Sequence, residues 1–185
     1  IIQGQCQRMD GIVDSILGLA RRESAQAEIV DVSRFLQRFV GDYRTLHPLG
    51  ADQLDERSAT SLTAMVDPRH LQQVLTVLVD NARAYGRLPG QPARVLLRAQ
   101  PAASESAEPG SLDIDVVDHG PGIPSAVASR LFEPFYTTSE HGTGLGLYIA
   151  RQLCEANQGS LRYVPVPAGG ACFRVRLPGR SGLPR

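Results

Sequence analysis

The chain has 185 residues, of which 42% are hydrophobic and 21% are charged. This composition is typical of a globular domain with an appendage and argues against a disordered chain. Acidic and basic side chains balance to a formal net charge of zero, so no basic field indicates a nucleic acid partner. No run approaches the ~20 apolar residues of a membrane span, and the first residues lack a signal-peptide pattern.

The first 20 residues carry an apolar residue at alternating spacings of four and three positions. This seam is typical of one helix in a bundle, and it is too narrow to be stable without a partner helix. The sequence offers no partner beside it, so we expect residues 1–28 to belong to a bundle whose other helix precedes Ile1. The seam consists of Ile2, Cys6, Met9, Val13, Ile16 and Ala20.

The next segment predicts two helices separated by a loop and a strand. Asp31 or Ser33 can cap the first helix. A loop over 50–56 and a strand over 59–66 follow, and an Asp-Pro pair then begins a helix over 69–85. The apolar face of the first helix contains Phe35, Leu36, Phe39, Val40 and Tyr43, and that of the second contains Leu71, Val74, Leu75, Leu78 and Val79.

The remaining elements predict strands and helices that segregate rather than alternate, which favours an α+β two-layer sandwich over a Rossmann fold. Asp113 and Asp115 alternate with apolar residues, as in a half-exposed strand. The predicted domain covers 29–178, and 179–185 are expected to form a disordered tail. Its later elements are a strand over 94–99, a loop over 101–110, a strand over 112–118, helices over 124–131 and 144–157, and a hairpin of 161–166 with 172–177.

Three cysteines, Cys6, Cys154 and Cys172, are far apart and lack the spacing of metal ligands. Reduced thiols in apolar surroundings are therefore expected, which is typical of a cytosolic protein.

Two glycine-rich stretches, 118–124 and 142–147, flank the segment 131–138. Asp118 ends an apolar strand, so its carboxylate can accept a hydrogen bond from an exocyclic amine such as that of adenine; the alternative is an ordinary Asp-Gly turn. The second stretch precedes an amphipathic helix, whose free N–H groups can bind anionic oxygens. Its alternative is a flexible loop that caps the helix.

The helix before these stretches ends in several polar residues. The amide oxygen of Asn81 can ligate a hard cation such as magnesium, and Asp80 is a second candidate ligand or a general base. Arg83 offers a positive charge to phosphate, and Tyr85 offers a ring to adenine. Alone, these residues would indicate only a polar helix face.

Together the motifs resemble the catalytic, ATP-binding domain of sensor histidine kinases, in the Bergerat (GHKL) class that includes the Hsp90 and MutL ATPases. Val77–Tyr85 is similar to the N-box of that family, 118–124 to its first glycine box and 131–138 to its phenylalanine box. Residues 142–147 are similar to the second glycine box, and 169–173 to the terminal glycine motif. The match runs from about residue 32 to 177.

The resemblance implies that Asp118 binds adenine, that Gly122 leaves room for the ring, and that Asn81 holds magnesium against the phosphates. Phe132 and Phe135 would anchor the lid. The full set of ATP-binding residues expected from the family is Asn81, Arg83, Tyr85, Asp118, Gly120, Gly122, Ile123, Phe132, Thr137, Thr138, Gly142, Thr143, Gly144, Leu145, Gly146 and Leu147.

Three positions depart from the family pattern. Val77 replaces a polar residue, Ala84 stands where a phosphate-binding cation is frequent, and Ser139 replaces a common lysine. Arg83 is adjacent to Ala84, but one position on a helix turns a side chain by ~100°. We therefore expect a modest affinity for nucleotide.

The resemblance also implies what lies outside the chain. None of the four histidines has the family's acceptor pattern, so the phosphate acceptor is expected on a missing helix, and the fragment is expected not to phosphorylate itself. The segment 1–28, which contains the apolar seam, is similar to the second helix of the family's dimerisation bundle. The match is nearest to the nitrogen-regulation (NtrB) and pilus-regulation (PilS) types.

Kinases of these types imply a homodimer, an NtrC-like response regulator and a cytoplasmic fragment of a protein anchored in a bacterial inner membrane. Type IV pilus genes are the expected target of regulation. Two other functions stay open: a degenerate nucleotide-binding module without kinase activity, and an ATP-hydrolysing clamp of the Hsp90 or MutL kind.

Overall fold

A computed structural model describes residues 25–59, 61–103, 108–139, 142–167 and 169–179. The predicted bundle seam and residues 180–185 lie outside the described residues. No helix in the described part is long and apolar enough to span a membrane. The elements are β1 Glu28–Asp31, α1 Val32–Leu46, β2 Gln53–Ser58, β3 Thr63–Val66, α2 Pro68–Tyr85, β4 Arg94–Pro101, β5 Leu112–Asp118, α3 Ser125–Ala128, α4 Gly146–Ala156, β6 Ser160–Pro165 and β7 Ala171–Leu177.

A five-stranded mixed sheet in the order β2-β4-β5-β7-β6 forms one layer of the domain. β2 pairs with β4 in parallel, and the other pairs are antiparallel. The three long helices form the second layer and pack on one face of this sheet, while β1 and β3 form a separate antiparallel ribbon. The predicted α+β sandwich of helices on a mixed sheet is confirmed.

The two N-terminal helices begin and pack as their sequences predict. Asp31 caps α1 by accepting the N–H of Arg34 at 3.0 Å, and Asp67 caps α2 by accepting that of Arg69 at 2.9 Å. The apolar stripe of each helix is buried against the sheet, apart from Phe35, which is partly buried. Burying these stripes contributes most of the stability of such helices.

Two boundaries in the first third of the chain differ from prediction. The expected loop over 50–56 is largely the edge strand β2, and the expected strand over 59–66 shortens to β3. β2 has the sequence QLDERS and fully buries only Leu54, because an edge strand has one neighbour and tolerates charge.

The predicted domain boundary at 28/29 falls inside β1, which pairs with β3. Gly179, expected in the tail, bridges to Ala64.

The central strand β5 is not half-exposed. Asp113 and Asp115 are 1% and 0% exposed, because arginines of the neighbouring strands cover them. Arg174 donates to Asp115 at 2.7 and 2.9 Å, and Arg98 donates at 2.7 Å. Arg176 donates to Asp113 at 2.8 and 2.9 Å. The alternation in the sequence identifies the strand correctly, but it does not reveal the cross-strand arginines that bury its carboxylates.

Acid should weaken the fold through Asp115. Burial raises its pKa, but Arg174 and Arg98 outweigh burial and hold the pKa below the usual range. The folded state therefore binds this proton more weakly than the unfolded chain, and the free energy of unfolding falls as pH drops from about 4 through the depressed pKa. We expect Asp115→Asn to lose about 3 kcal/mol at pH 7, since it leaves arginines without their buried partner.

Urea unfolding at pH 7 and at pH 3 tests this, with Asp55→Asn as the control, because Asp55 is exposed and pairs with Arg44 at 3.4 Å. The control should stay within about 0.5 kcal/mol of the parent chain. Equal losses in the two variants would refute the role of the buried carboxylate.

Candidate functional site

A cavity of about 530 Å³ opens between the end of α2, the end of β5, the segments 122–138 and 142–144, the start of α4 and the start of β7. Its lining combines apolar side chains, glycines and a few polar groups. The lining residues are Asn81, Ala82, Tyr85, Asp118, Gly122, Ile123, Pro124, Val127, Leu131, Tyr136, Thr137, Thr138, Gly142, Thr143, Gly144, Gly146, Leu147, Ala171 and Phe173. Such a volume and mixture are typical of a small-molecule site.

Asp118 provides the carboxylate of the cavity. It is the last residue of β5 and is 5% exposed. Its Oδ1 accepts the N–H groups of Gly120 and Ala171, both at 3.0 Å, and its Oδ2 has no hydrogen-bond partner among the described residues. Burial raises the pKa of this carboxyl, and the two backbone N–H groups offset part of the shift. One oxygen thus fixes the side chain, and the other can accept a donor from a ligand.

Gly170 makes the approach of β7 to Asp118 possible. Its φ is +85°, and a Cβ at this position would lie 2.1 Å from the backbone oxygen of Asp118. Only glycine fits both the backbone conformation and the contact. The sequence indicated a glycine motif here, but it did not indicate that Ala171 would donate to the carboxylate.

One wall of the cavity is apolar and can accommodate a flat ring. Side chains from the end of α2, α3 and the turn before it, the segment 131–136 and β7 form this wall. Several of its members were absent from the sequence-based site, because apolar residues of short helices and strands have the same pattern as core residues. They are Ala82, Pro124, Val127, Leu131, Tyr136, Ala171 and Phe173.

The loop before α4 and the start of α4 also line the cavity. This helix has no side-chain cap hydrogen bond at Leu145, so the N–H groups of its first turn are available to an anion. The Phe135 N–H donates to the Gly144 oxygen at 3.0 Å and ties the phenylalanine segment to this loop. Gly144 has φ +69°, and a Cβ there would lie 2.5 Å from the backbone carbon of Phe135.

The last turns of α2 contribute Asn81 and Tyr85, which are four residues apart and line the cavity together. The Asn81 amide has no hydrogen-bond partner among the described residues, so its oxygen is available to a ligand or cation. Tyr85 is 53% exposed at the cavity edge. No group of three or more His, Cys, Asp or Glu side chains in the described ranges could hold a metal ion by itself.

Four of the predicted site residues do not line the cavity. Leu145 is in the core at 4% exposure, and Gly120 contributes its N–H to Asp118. Phe132 packs edge-on against Phe173 with ring centroids 6.4 Å apart. This contact fits an anchoring role. Phe135 is 71% exposed, so burial does not anchor it.

The fourth, Arg83, faces away from the cavity, as does Asp80. The Arg83 guanidinium donates to Asp52 at 3.2 Å, to the Tyr43 hydroxyl at 3.3 Å and to the Pro48 oxygen at 3.4 Å. The Tyr43 hydroxyl in turn donates to Asp80. Burial raises the pKa of Tyr43, and its hydrogen bond to Asp80 adds to the shift. This cluster joins α1 and the following loop to α2. Arg83 and Asp80 therefore do not contribute to the lining of the cavity.

We expect Arg83→Ala to weaken the fold rather than ligand binding. The contacts to Asp52 and Tyr43 are partly buried and the one to Pro48 is exposed, so their loss should lower the free energy of unfolding by about 2 kcal/mol. The affinity for an ATP analogue should change less than twofold, as measured by calorimetry alongside urea unfolding. The control is Arg87→Ala, an exposed arginine just beyond α2, which should change neither quantity. A tenfold loss of affinity in a folded Arg83→Ala protein would contradict this placement.

None of the described residues that line the cavity is basic. Ala84 is exposed beside Tyr85, and Val77 contributes to the partly buried shell around the core. Among the described lining residues, an anion would therefore have to bind to backbone N–H groups, threonine hydroxyls and Asn81.

The described histidines and cysteines lie outside the cavity lining. The His47 ring stacks on Tyr43 at 4.4 Å, His70 is buried against Asn157, and His119 lies 3.2 Å from the Arg94 oxygen. His141 and Cys6 are outside the described residues. Cys154 and Cys172 are free and buried, and burial raises the pKa of each thiol to about 12. Both lie in the buried surroundings that the sequence predicts.

The sequence profile of the family described as "Histidine kinase-, DNA gyrase B-, and HSP90-like ATPase" matches residues 66–181. This range contains every element that lines the cavity. The chain belongs to this ATPase family. The predicted resemblance to the sensor histidine kinase catalytic domain is confirmed.

Known relatives of this ATPase domain are sensor kinases. The sensor protein kinase PilS of Pseudomonas aeruginosa is 39% identical over 185 residues, which cover 95% of this chain and 32% of PilS. Full-length ShkA, solved in complex with AMPPNP, has a TM-score of 0.75 at 25% identity, over 94% of this chain and 36% of ShkA. The chain spans less than half the length of the first curated relatives that it matches.

A second solved structure shares only the fold with this chain. The histidine kinase ThkA in complex with its response regulator TrrA has a TM-score of 0.73 at 21% identity, over 97% of this chain and 49% of that chain. The shared architecture confirms the mixed sheet packed on helices.

Proposed function

We propose that the domain binds ATP in the cavity and donates the γ-phosphoryl group to a histidine on a dimerisation helix of its own kinase. The observation that carries the proposal is that one cavity is lined both by Asp118, whose Oδ2 has no partner among the described residues, and by the N-terminus of a helix. A base and a polyphosphate need these two environments in one site. The sensor kinase names of the relatives support the choice of histidine as acceptor.

In this proposal the adenine amino group donates to Asp118, and the ring packs against the apolar wall that includes Ile123 and Phe173. The phosphates accept N–H groups from the loop over 142–146 and from the first turn of α4. Thr137, Thr138 and Thr143 line the same region and can donate hydroxyl groups. The carboxylate thus determines base specificity, and the backbone positions the polyphosphate.

Magnesium fits the polar side of this cavity. Asn81 would be its protein ligand, because its amide is unpaired and no cluster of acidic or histidine side chains in the described residues offers a complete coordination shell. A magnesium ion with one protein ligand takes its remaining ligands from water and from phosphate oxygens. When bound, it neutralises charge on the phosphates.

In the transfer, a ring nitrogen of the acceptor histidine attacks the γ-phosphorus. The new P–N bond forms as the bond to the β-phosphate oxygen breaks, ADP leaves with that electron pair, and the histidine loses its ring proton. A carboxylate beside the acceptor would take this proton, since Asp80 faces away from the cavity and hydrogen bonds with Tyr43. The domain contributes positioning and electrostatic stabilisation.

A fusion of a two-helix dimerisation domain, bearing its acceptor histidine, to this chain tests the proposal. With radiolabelled ATP and magnesium, we expect acid-labile phosphate on the acceptor histidine, none on a variant with glutamine there, and none on this chain alone. Label on one of the four histidines of this chain would overturn the proposal, as would ATP binding without any transfer in the fusion.

Failure of transfer with ATP binding retained would favour the second candidate, a nucleotide-binding module without kinase activity. The absence of a basic residue among the described cavity-lining residues is the observation that favours it. ATP hydrolysis accompanied by a nucleotide-driven change in dimer state would instead favour a clamp of the Hsp90 or MutL kind.

For the whole protein, we propose a homodimeric kinase that passes phosphate to an NtrC-like response regulator and is anchored in a bacterial inner membrane by a region outside this chain. The identity to PilS supports a role in type IV pilus regulation. The complex of ThkA with TrrA supports a response regulator as partner of this fold.

A further inference from the structure

The outer face of the sheet, opposite the helices, carries a straight row of charged residues that crosses all five strands. The register aligns Arg57 of β2, Arg98 of β4, Asp115 of β5, Arg174 of β7 and Arg162 of β6. We call these five residues the arginine row. Adjacent strands lie about 4.8 Å apart, so the row is about 19 Å long.

The positive charge of the arginine row is concentrated at its two ends. In the centre, Asp115 accepts hydrogen bonds from Arg98 and Arg174. Arg57 and Arg162 are exposed and have no acidic partner among the described residues. The chain as a whole is neutral, so two unpaired cations on one sheet face are a local excess rather than part of a general basic field.

A second, apolar row runs beside the first. It consists of Leu96, Val117, Cys172 and Val164, which are also in register across four strands. Each lies two residues along its strand from a member of the arginine row, a distance of about 7 Å. Cys172 is buried and the other three are partly buried. Within the described part of the chain, this face thus presents a cationic stripe and an apolar stripe that are parallel.

We propose that this face binds an acidic amphipathic helix of a partner protein. A helix about 13 residues long matches the 19 Å row. Its apolar stripe would lie on Leu96, Val117 and Val164. Carboxylates near the two ends of the adjacent stripe, about 13 residues apart, would pair with Arg57 and Arg162.

Two other anionic partners fit less well. A membrane surface favours apolar side chains that protrude, whereas the apolar row is at most partly exposed. A nucleic acid favours a continuous basic field, whereas Asp55, Asp113 and Asp115 share this face with the arginines. A helix with few charges suits a surface with two unpaired cations.

The probe is a fluorescein-labelled synthetic 16-residue helix with a leucine stripe beside a glutamate stripe. Fluorescence anisotropy measures its binding to the full chain. We expect Arg57→Gln with Arg162→Gln to weaken binding at least tenfold and to leave the affinity for an ATP analogue unchanged. The matched control, Arg34→Gln with Arg38→Gln, removes two exposed arginines from α1 and should bind like the parent chain.

A second peptide of the same composition, with its glutamates opposite the leucines, should bind at least fivefold more weakly, because it cannot satisfy both rows. Equal binding by the two peptides, or by the Arg57/Arg162 variant and the parent, would overturn the proposal. Tighter binding to phosphatidylserine vesicles or to oligo-dT, lost in the same variant, would overturn it in favour of that polyanion.

Discussion

Replacing Asp118 by asparagine is expected to weaken ATP binding about a hundredfold while leaving the domain folded. The asparagine oxygen can still accept the N–H groups of Gly120 and Ala171. Its amide nitrogen would then face the cavity and meet the adenine amino group, donor against donor. Losing a charged acceptor and creating this conflict should cost about 3 kcal/mol, or roughly a hundredfold in affinity.

The stability of this variant separates a ligand-binding role from a structural one. Because burial raises the pKa of Asp118, its ionised form is held at a cost in the folded state, and asparagine removes that cost. Thermal unfolding should therefore occur at the same temperature or higher. Asp42→Asn, at an exposed site on α1, controls for the change of charge. ATP binding within threefold of the parent would contradict the role of Asp118.

The same shift predicts the pH dependence of binding. A carboxyl with a raised pKa takes up its proton above the usual range of aspartate, which is near pH 4. As the pH is lowered, the affinity for an ATP analogue should thus begin to fall at a higher pH than it would with an aspartate of ordinary pKa. The Asp118→Asn variant should lack this pH dependence.

Gly170→Ala is expected to damage the site and the fold together. The added Cβ would lie 2.1 Å from the Asp118 oxygen, and the residue would have to adopt φ +85°. The backbone penalty is about 1–2 kcal/mol, and the overlap adds about 1–3 kcal/mol, since two strands must separate. Because Ala171 would move away from Asp118, ATP affinity should also fall at least tenfold.

Gly90→Ala is the matched control for this prediction. Gly90 has φ +71°, but nothing lies within 4 Å of its Cβ position. The free energy of unfolding of Gly90→Ala should therefore fall by the backbone penalty alone, and the variant should retain ATP binding. Urea unfolding and calorimetry on both variants test the difference, and equal losses at the two glycines would show that close packing against Asp118 contributes nothing.

The local patterns of the sequence identify the helices and the glycine loops because each depends on neighbours in the chain. α2 begins at an Asp-Pro pair, and α4 begins in a glycine-rich loop without a side-chain cap. The position of Asp118 at the end of an apolar strand likewise predicts a carboxylate where a sheet strand meets a loop. These features need no knowledge of which strands are neighbours.

The features that the sequence does not reveal depend on contacts between distant segments. Arg83 is one position from the face that lines the cavity, and its partners Tyr43 and Asp52 are 40 and 31 residues away. Asp115 is buried only because Arg98 and Arg174 flank it on neighbouring strands. A single sequence gives the alternation of a strand but not the charges that lie beside it.

The proposed ATP site has one carboxylate and no basic side chain among the described residues that line it. We therefore expect its recognition of the base to be specific and its attraction for the terminal phosphate to be weak. We expect ADP to bind nearly as well as ATP. Such a domain would be filled by whichever adenine nucleotide is more abundant, so phosphoryl donation would follow the energy charge of the cell as well as the signal that the kinase senses.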